Sequence, residues 1–263
     1  MAILTVFFQM LSLLIMIGAG WFMARKGMMD EHTNTQMSKM IVNVFNPMLM
    51  ISSAAGSVGL IPLSTIVLVG LIAIGMFAIL IAAGMILSPL FERQPDQKKI
   101  FQMMFVFSNL GFIGIPVVGS ILGTQYVVYV TEFLLLYTIV FYTYGVALMD
   151  GKFSLSSLKA MVNPGLISGL AAVLIIVLNI PLPGFLMTAV TYLGNVTSPM
   201  ALVAVGFALA HTDPKRIFCQ PKLYVFSAVK LLALPLLMLP LVRLATKDAA
   251  LLSVCMVMFG MPI

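Results

Sequence analysis

Charge is scarce in this chain, at 8% of 263 residues, against about 25% in ordinary soluble domains. Hydrophobic residues make up 62%, more apolar surface than a soluble core of this length could bury. Together these figures exclude a water-soluble globular protein. The net charge is only +6, and it is not gathered into the basic clusters that grip nucleic acid, so no nucleic-acid partner is expected. Cysteine is nearly absent as well. Cys219 and Cys255 stand far apart without metal-type spacing, so neither a disulfide framework nor a zinc site is expected. The two histidines, His32 and His211, fall in connectors. No Ser/His/Asp arrangement or metal cluster can then form within the apolar segments, and enzyme activity is not expected. No phosphate-binding loop is present either, so direct ATP drive and a bound cofactor are not expected.

What is present in abundance is apolar sequence in runs of membrane-spanning length. About nine segments can be drawn: Ala2–Ala24, Met40–Gly59, Leu63–Leu90, Ile100–Leu122, Val127–Met149, Met161–Ile180, Gly184–Ala210, Leu223–Val242 and Ala249–Ile263. The first has no preceding basic residues and no small-residue cleavage site, so it reads as a helix and not as a signal peptide. Eleven Lys and Arg lie in the loops after segments 1, 3, 5 and 7, and two, Arg243 and Lys247, lie in the loops of the other side. That bias puts the four basic loops in the cytoplasm and the N-terminus outside. The ninth segment reaches Ile263 in mid-membrane, where a free carboxylate is expensive. Either that segment is short and tilts toward the cytoplasmic side, or the protein continues past Ile263; the internal repeat favours the second, with a tenth span expected.

The two halves resemble each other at an offset of about 152 residues. "FNPMLMISSAAG" then falls on "TSPMALVAVGFA", with Pro47 on Pro199 and Met48 on Met200. Five spans per repeat would make the second copy inverted, so residues 1–150 are expected to form one five-helix repeat and 151–263 an incomplete, inverted second. Inverted repeats with paired broken helices are a common architecture of secondary transporters.

The stretch "FSNLGFIGIPVVG" at 107–119 is the likeness of a broken helix. Inside a helix Gly costs roughly 1 kcal/mol and Pro roughly 3 kcal/mol relative to Ala, yet Asn109, Gly111, Gly114 and Pro116 all sit at mid-span. An unwound segment near Gly111–Ile115 would let Pro116 start a second half-helix, whose N-terminal amides attract an anion. Asn109 would supply a donor and an acceptor beside the gap. The competing reading is a kinked structural helix whose freed carbonyl is met by Asn109. Asn46–Pro47 and Ser198–Pro199 look like further mid-helix breaks, either facing the substrate or merely kinking packed helices. Gly165-x-x-x-Gly169 and Gly119-x-x-x-Gly123 suit close helix packing, and Asn163–Pro164 reads as an N-cap followed by Pro in the first turn.

Two intramembrane charges need separate accounts, because they stand roughly 10 Å apart in height at about 1.5 Å per residue. Lys230 could snorkel to the cytoplasmic headgroups or lend charge to an anion site. Glu132 could carry a coupling proton or sit hydrogen-bonded near the outer interface.

"SNLGFIGIPVVG", "NPGLISGL" at the sixth segment and "GMP" in the ninth resemble the auxin efflux carrier family, which includes plant PIN carriers and bacterial permeases. The N-x-G-x-x-G-x-P pattern at Asn109–Pro116 carries the resemblance most specifically. The short loop "DGKFSLSSLK" is similar to the bacterial malate/malonate permease-like branch. The resemblance implies an all-α integral membrane fold of ten helices, with helices 4 and 9 broken and crossing. Helices 1, 2, 6 and 7 would form a dimerising scaffold, and helices 3–5 with 8–9 an elevator-like transport domain. It implies a substrate site at Ser108, Asn109, Gly111, Gly114, Ile115, Pro116, Gly260 and Pro262. The expected activity is secondary transport of small organic anions, most readily malate or malonate, in a bacterial cytoplasmic membrane, with coupling to H+ or Na+ left open. An auxin-like aromatic acid carrier is the alternative. An anion channel is the other, although no rings of polar or charged residues are evident to line a pore.

Overall fold

Proline and short polar caps mark where the helices of this chain begin. The computed structural model describes residues 2–151, 159, 162–213 and 220–262, and among the described residues there is no strand. Met161, Pro214, Cys219, Ile263 and the loop cations Lys152, Lys215 and Arg216 lie outside the described residues. α1 (Ala2–Arg25) gives way to a turn in which Gly27 has φ +68°. Asp30 caps α2 (Glu31–Met40), its carboxylate accepting the Thr33 N–H at 2.7 Å. A π turn (Ile41–Phe45) joins α2 to α3 (Asn46–Gly56). α4 (Leu63–Phe91) follows Pro62, and α5 (Pro95–Val106) starts on a proline. A π turn (Leu110–Gly114) leads into α6 (Ile115–Ile121). Gly123 turns the chain with φ +113° into a 3-10 turn (Thr124–Tyr126). There follow α7 (Val127–Val140), a π turn (Phe141–Gly145) and α8 (Val146–Asp150). α9 (Pro164–Val177) is capped by Asn163, whose side chain accepts the Leu166 N–H at 3.1 Å. α10 (Gly184–Asn195) and α11 (Thr197–Ala210) are separated by Val196 alone. α12 (Pro221–Ala228), a π turn (Val229–Ala233) and α13 (Leu234–Ala245) form one rod. Asp248 caps α14 (Ala249–Phe259), accepting the Ala250 N–H at 2.8 Å.

The π turns have a physical pattern. Those at Ile41–Phe45, Leu110–Gly114 and Val229–Ala233 each end two residues before a proline, at Pro47, Pro116 and Pro235. A proline ring collides with the carbonyl four residues back and offers no N–H. The wider turn, bonded over five residues, relieves both problems; the Asn46 N–H, for instance, donates to the Ile41 carbonyl. The break expected at Asn46–Pro47 is therefore not found, and the chain runs helical from Glu31 to Gly56. At Ser198–Pro199 there is likewise no gap. Val196 keeps right-handed helical angles (φ −69°, ψ −24°), and Pro199 falls in the first turn of α11, where its missing N–H is not needed.

The fold is all-α and integral to the membrane. By length and composition four helices among the described residues can cross it: Leu63–Phe91, Thr124–Asp150, Gly184–Ala210 and Pro221–Ala245. Met10–Arg25, Pro164–Val177 and Ala249–Phe259 are shorter apolar helices. The second of the nine expected segments begins earlier than expected, with polar α2, and the fourth is divided. Leu90, Phe185 and Leu244 are 78, 80 and 86% exposed; an exterior this apolar calls for lipid as its solvent.

Two groups of helices pack among themselves. α1 lies along α11, and α3 lies between α9 and α10. A Cβ on Gly20 or Gly206 would run into the backbone of Val203 or Ile17, so α1 and α11 touch backbone to backbone. In the other group α4 packs on α5 and α7, and α13 on α14 and α4. Its interior is closed by Phe105, Val130, Phe133, Val254, Cys255 and Phe259, all at 1% exposure or less. The Cys255 thiol is free and buried. The groups meet where α9 touches α7 and where α11 and α1 touch the π turn and α6 of the divided helix.

Candidate functional site

Helical bonding in the divided helix stops at Val106, earlier than Gly111–Ile115 where the unwinding was expected. Residues 107–109 are not helical, and Phe107 is extended at φ −103°, ψ 104°. Pro116 is thus the second residue of α6, behind a π turn, and not the start of the second half-helix. The reason is tertiary. The Asn109 N–H, which in a continuous helix would bond the Phe105 carbonyl, donates instead to the Pro262 carbonyl at 2.7 Å. That bond ties the non-helical stretch after α14 to the gap between α5 and α6.

The freed Phe105 carbonyl is not left bare. Lys230 Nζ donates to it at 2.5 Å. A cation at the C-terminal end of α5 also meets the negative end of its dipole. Lys230 is 1% exposed, so the snorkelling expected of it does not occur. Its side chain closes the broken helix.

On the far side of the gap the chain resumes helix at Leu110. The Leu110 N–H turns back to the Ser108 carbonyl at 2.8 Å, while Ile113 and Gly114 bond the Asn109 carbonyl at 3.3 and 3.2 Å. The N-terminal end of this half-helix, with the partial positive charge of its dipole, lies at the gap.

A cavity of about 350 Å³ opens beside the gap. The gap contributes Ser108, Asn109, Leu110 and Gly111, and α2–α3 contribute Val42, Asn43, Asn46 and Met50. Leu134, Tyr137, Thr138, Phe141 and Tyr142 line it from α7 and the π turn after it, and Asn163 and Gly165 from the start of α9. None of these residues is charged. Ser108 Oγ and Asn46 Oδ1 are both buried with no hydrogen-bond partner among the described residues. A buried polar atom in that state costs about 1–3 kcal/mol; the Ser108 hydroxyl can donate or accept, whereas Asn46 Oδ1 can only accept.

The structure brings Ser108, Asn109, Gly111 and Asn46 together and sets the other expected residues apart. Gly114 packs on Met258 and Met261; a Cβ there would be 3.0 Å from Met258 Cε. Ile115 and Ser198 line a different cavity. Pro47 is buried behind the wall. Gly260 ends α14 beside Pro235, and Pro262 acts through its carbonyl. Glu132 is 6% exposed on α7, with Oε2 3.8 Å from the Cβ position of Gly70, and its buried Oε1 has no partner among the described residues. Glu132 and Lys230 do not pair with each other.

Sequence reasoning passed over Asn43, Tyr137, Thr138 and Tyr142. A signal was available, since "YTIVFYTY" places hydroxyls inside an apolar run.

Comparison with protein families gives one match. A family model described as membrane transport protein covers residues 5–155 and 152–263, almost the whole chain. No curated protein matches the chain.

Proposed function

We infer the function from the premise that this chain belongs to the membrane transport protein family, the auxin efflux carrier family that includes plant PIN carriers and bacterial permeases. It is a multi-pass membrane transporter, and our reading is that it is a secondary carrier of small organic anions. The observation that carries this is the uncharged polar cavity beside a helix gap held open by the Asn109 N–H to Pro262 carbonyl bond. A carboxylate seated at the end of the half-helix that begins after the gap would meet a helix N-terminus, on a wall that also carries Ser108, Asn46 and Asn109.

The bacterial branch suggests malate or malonate. The wall itself favours the alternative, an acid with one carboxylate and an apolar body. It offers Leu134, Phe141 and the Tyr137 and Tyr142 rings, and no cation for a second carboxylate. Elevator movement of α4–α8 with α12–α14 against α1–α3 with α9–α11 is what the resemblance implies; α4 with α5 and α1 with α11 pack within their groups, and α7 packs on both α4 and α9 where the groups would slide. Homodimers formed through the second group, a bacterial cytoplasmic membrane and an outside N-terminus follow from the resemblance and from the basic loops. Coupling to H+ would use Glu132, since an intramembrane carboxyl whose buried Oε1 has no partner among the described residues is the kind of group that exchanges a proton.

Counterflow in proteoliposomes tests the reading. Malonate, malate and indole-3-acetate are each offered with and without a pH gradient. Saturable exchange of at least one acid is expected, with Glu132→Gln flattening its pH dependence. Absence of saturable flux for every acid overturns the carrier reading.

A further inference from the structure

The offset that lays Pro47 on Pro199 also lays "NVFNPM" (43–48) on "NVTSPM" (195–200), with Asn43 on Asn195 and Asn46 on Ser198. Four of the six positions in this window are identical. The two hexapeptides lie in the same packing group, in α2–α3 and at the α10–α11 junction, where Gly194 comes close enough that a Cβ would strike the Leu49 backbone.

Each hexapeptide faces its own cavity. Asn43 and Asn46 line the one already described. Asn195 and Ser198 line a second, of about 260 Å³, together with Ser12, Ser120 and Thr124. The second cavity also contains Ile115 and Gly119, from the half-helix that begins at the gap. So one half-helix presents its first turn to Asn43 and Asn46 and its later turns to Asn195 and Ser198. Among the described residues neither wall carries a charge, so both have the same chemistry: amides and hydroxyls set among apolar side chains. The cavities lie toward opposite ends of the bundle. Asn163, which caps the start of α9 after the basic loop, belongs to the first, and Thr124, at the opposite turn, belongs to the second.

We propose that the cavity at Asn195 and Ser198 is the second seat of the same organic anion. When the transport group shifts, Ser108–Gly111 exchanges Asn43 and Asn46 for Asn195 and Ser198. One "NVxxPM" wall then serves each face of the membrane. The inference rests on the carrier reading above, and the two can fail separately. Ser198 and Asn195 hold the substrate only in the alternate state, which explains why they stand away from the gap in this one.

Thiol protection tests this. The native thiols are removed as Cys219→Ala and Cys255→Ala, and Asn43→Cys, Ser198→Cys and Asn195→Cys are then introduced one at a time. Each protein is reconstituted and treated from either face with a membrane-impermeant maleimide. Malonate or indole-3-acetate is added, whichever the same vesicles exchange. The expected result is labelling of Ser198→Cys from the face opposite the basic loops and of Asn43→Cys from the basic-loop face. The exchanged acid should slow both several-fold. Asn195 is exposed, so Asn195→Cys gives the same reading should the Ser198 variant fold poorly. Protection at Asn43→Cys, with none at Ser198→Cys or Asn195→Cys, overturns the second seat and leaves the carrier reading standing. Protection at none of them, with no exchange of either acid, overturns both.

Discussion

Two membrane segments of this chain carry an asparagine ahead of a proline and a π turn between or beside them, and they end differently. In α2–α3 the turn at Ile41–Phe45 absorbs Pro47 and the helix continues. In α5–α6 a similar turn absorbs Pro116, yet the chain is open at 107–109, before the turn begins. Proline is common to both, so it is not what opens the helix. The difference is two bonds from elsewhere: the Pro262 carbonyl takes the Asn109 N–H, and Lys230 takes the carbonyl that this leaves. A π turn lets a membrane helix bend around a proline. A gap requires partners from other helices for the groups it exposes, because lipid supplies none.

The largest effect is expected at Lys230. Lys230→Met removes the donor and leaves the Phe105 carbonyl buried without a partner, a loss of about 1–3 kcal/mol. The expected result is a clear fall in melting temperature in detergent and loss of exchange, with Lys230→Arg recovering part of both. Next in size is Asn109→Ala. The backbone bond to Pro262 survives this change, so the gap should persist while exchange falls about tenfold or more, the effect of losing one charge-assisted bond. Pro116→Ala separates the two causes. The gap should persist, since its bonds are untouched, and exchange should fall only a few-fold. Pro47→Ala, in the continuous segment, should change less still; a π turn that relaxes there without loss of exchange confirms that Pro47 shapes the wall and does not open it.

The smallest effect concerns a tie outside the membrane. Lys222 Nζ donates to Glu92 Oε2 at 2.8 Å and lies 5.3 Å from the centre of the Phe101 ring, joining the end of α4 to the start of α12. The Lys222 hydrogen bond, with backbone amides of Arg93 and Gln94, holds the Glu92 carboxyl below its ordinary value. A group lowered in this way favours the fold above its unfolded value, and that contribution disappears as pH falls through the lowered one. Melting in detergent followed from neutral to acid pH should therefore show a slightly steeper loss in the parent than in Glu92→Gln.

Much of the fold was legible because the membrane imposes length and hydropathy directly. The composition, the apolar runs and the mid-span cluster of Asn, Gly and Pro pointed to a helical membrane protein with a broken fourth segment. The position of the break was not legible. Gly111 and Gly114 mark where the backbone is free to turn, but the opening lies at 107–109, where Pro262 and Lys230 can reach it. The partner of Lys230 was not legible for the same reason: it is a main-chain carbonyl 125 residues away, and no local pattern announces that. "DEHTNTQMSK" looked like a loop because it is polar, although Asp30 ahead of Thr33 is a cap signal. Tyr137, Thr138 and Tyr142 came to the site through the packing of α7 against α9 and α3, which composition does not encode.

The central claim is that the cavity beside the gap holds the transported acid, and substitution of the wall under exchange conditions tests it most directly. Ser108→Ala and Asn46→Leu each remove a buried polar atom that has no partner among the described residues, so each should leave melting unchanged or raise it slightly. Counterflow of whichever acid the parent exchanges is then compared across the three proteins. The account predicts well-folded variants with KM raised several-fold or exchange abolished. Variants that fold equally well and exchange with the parent's KM and rate would contradict it.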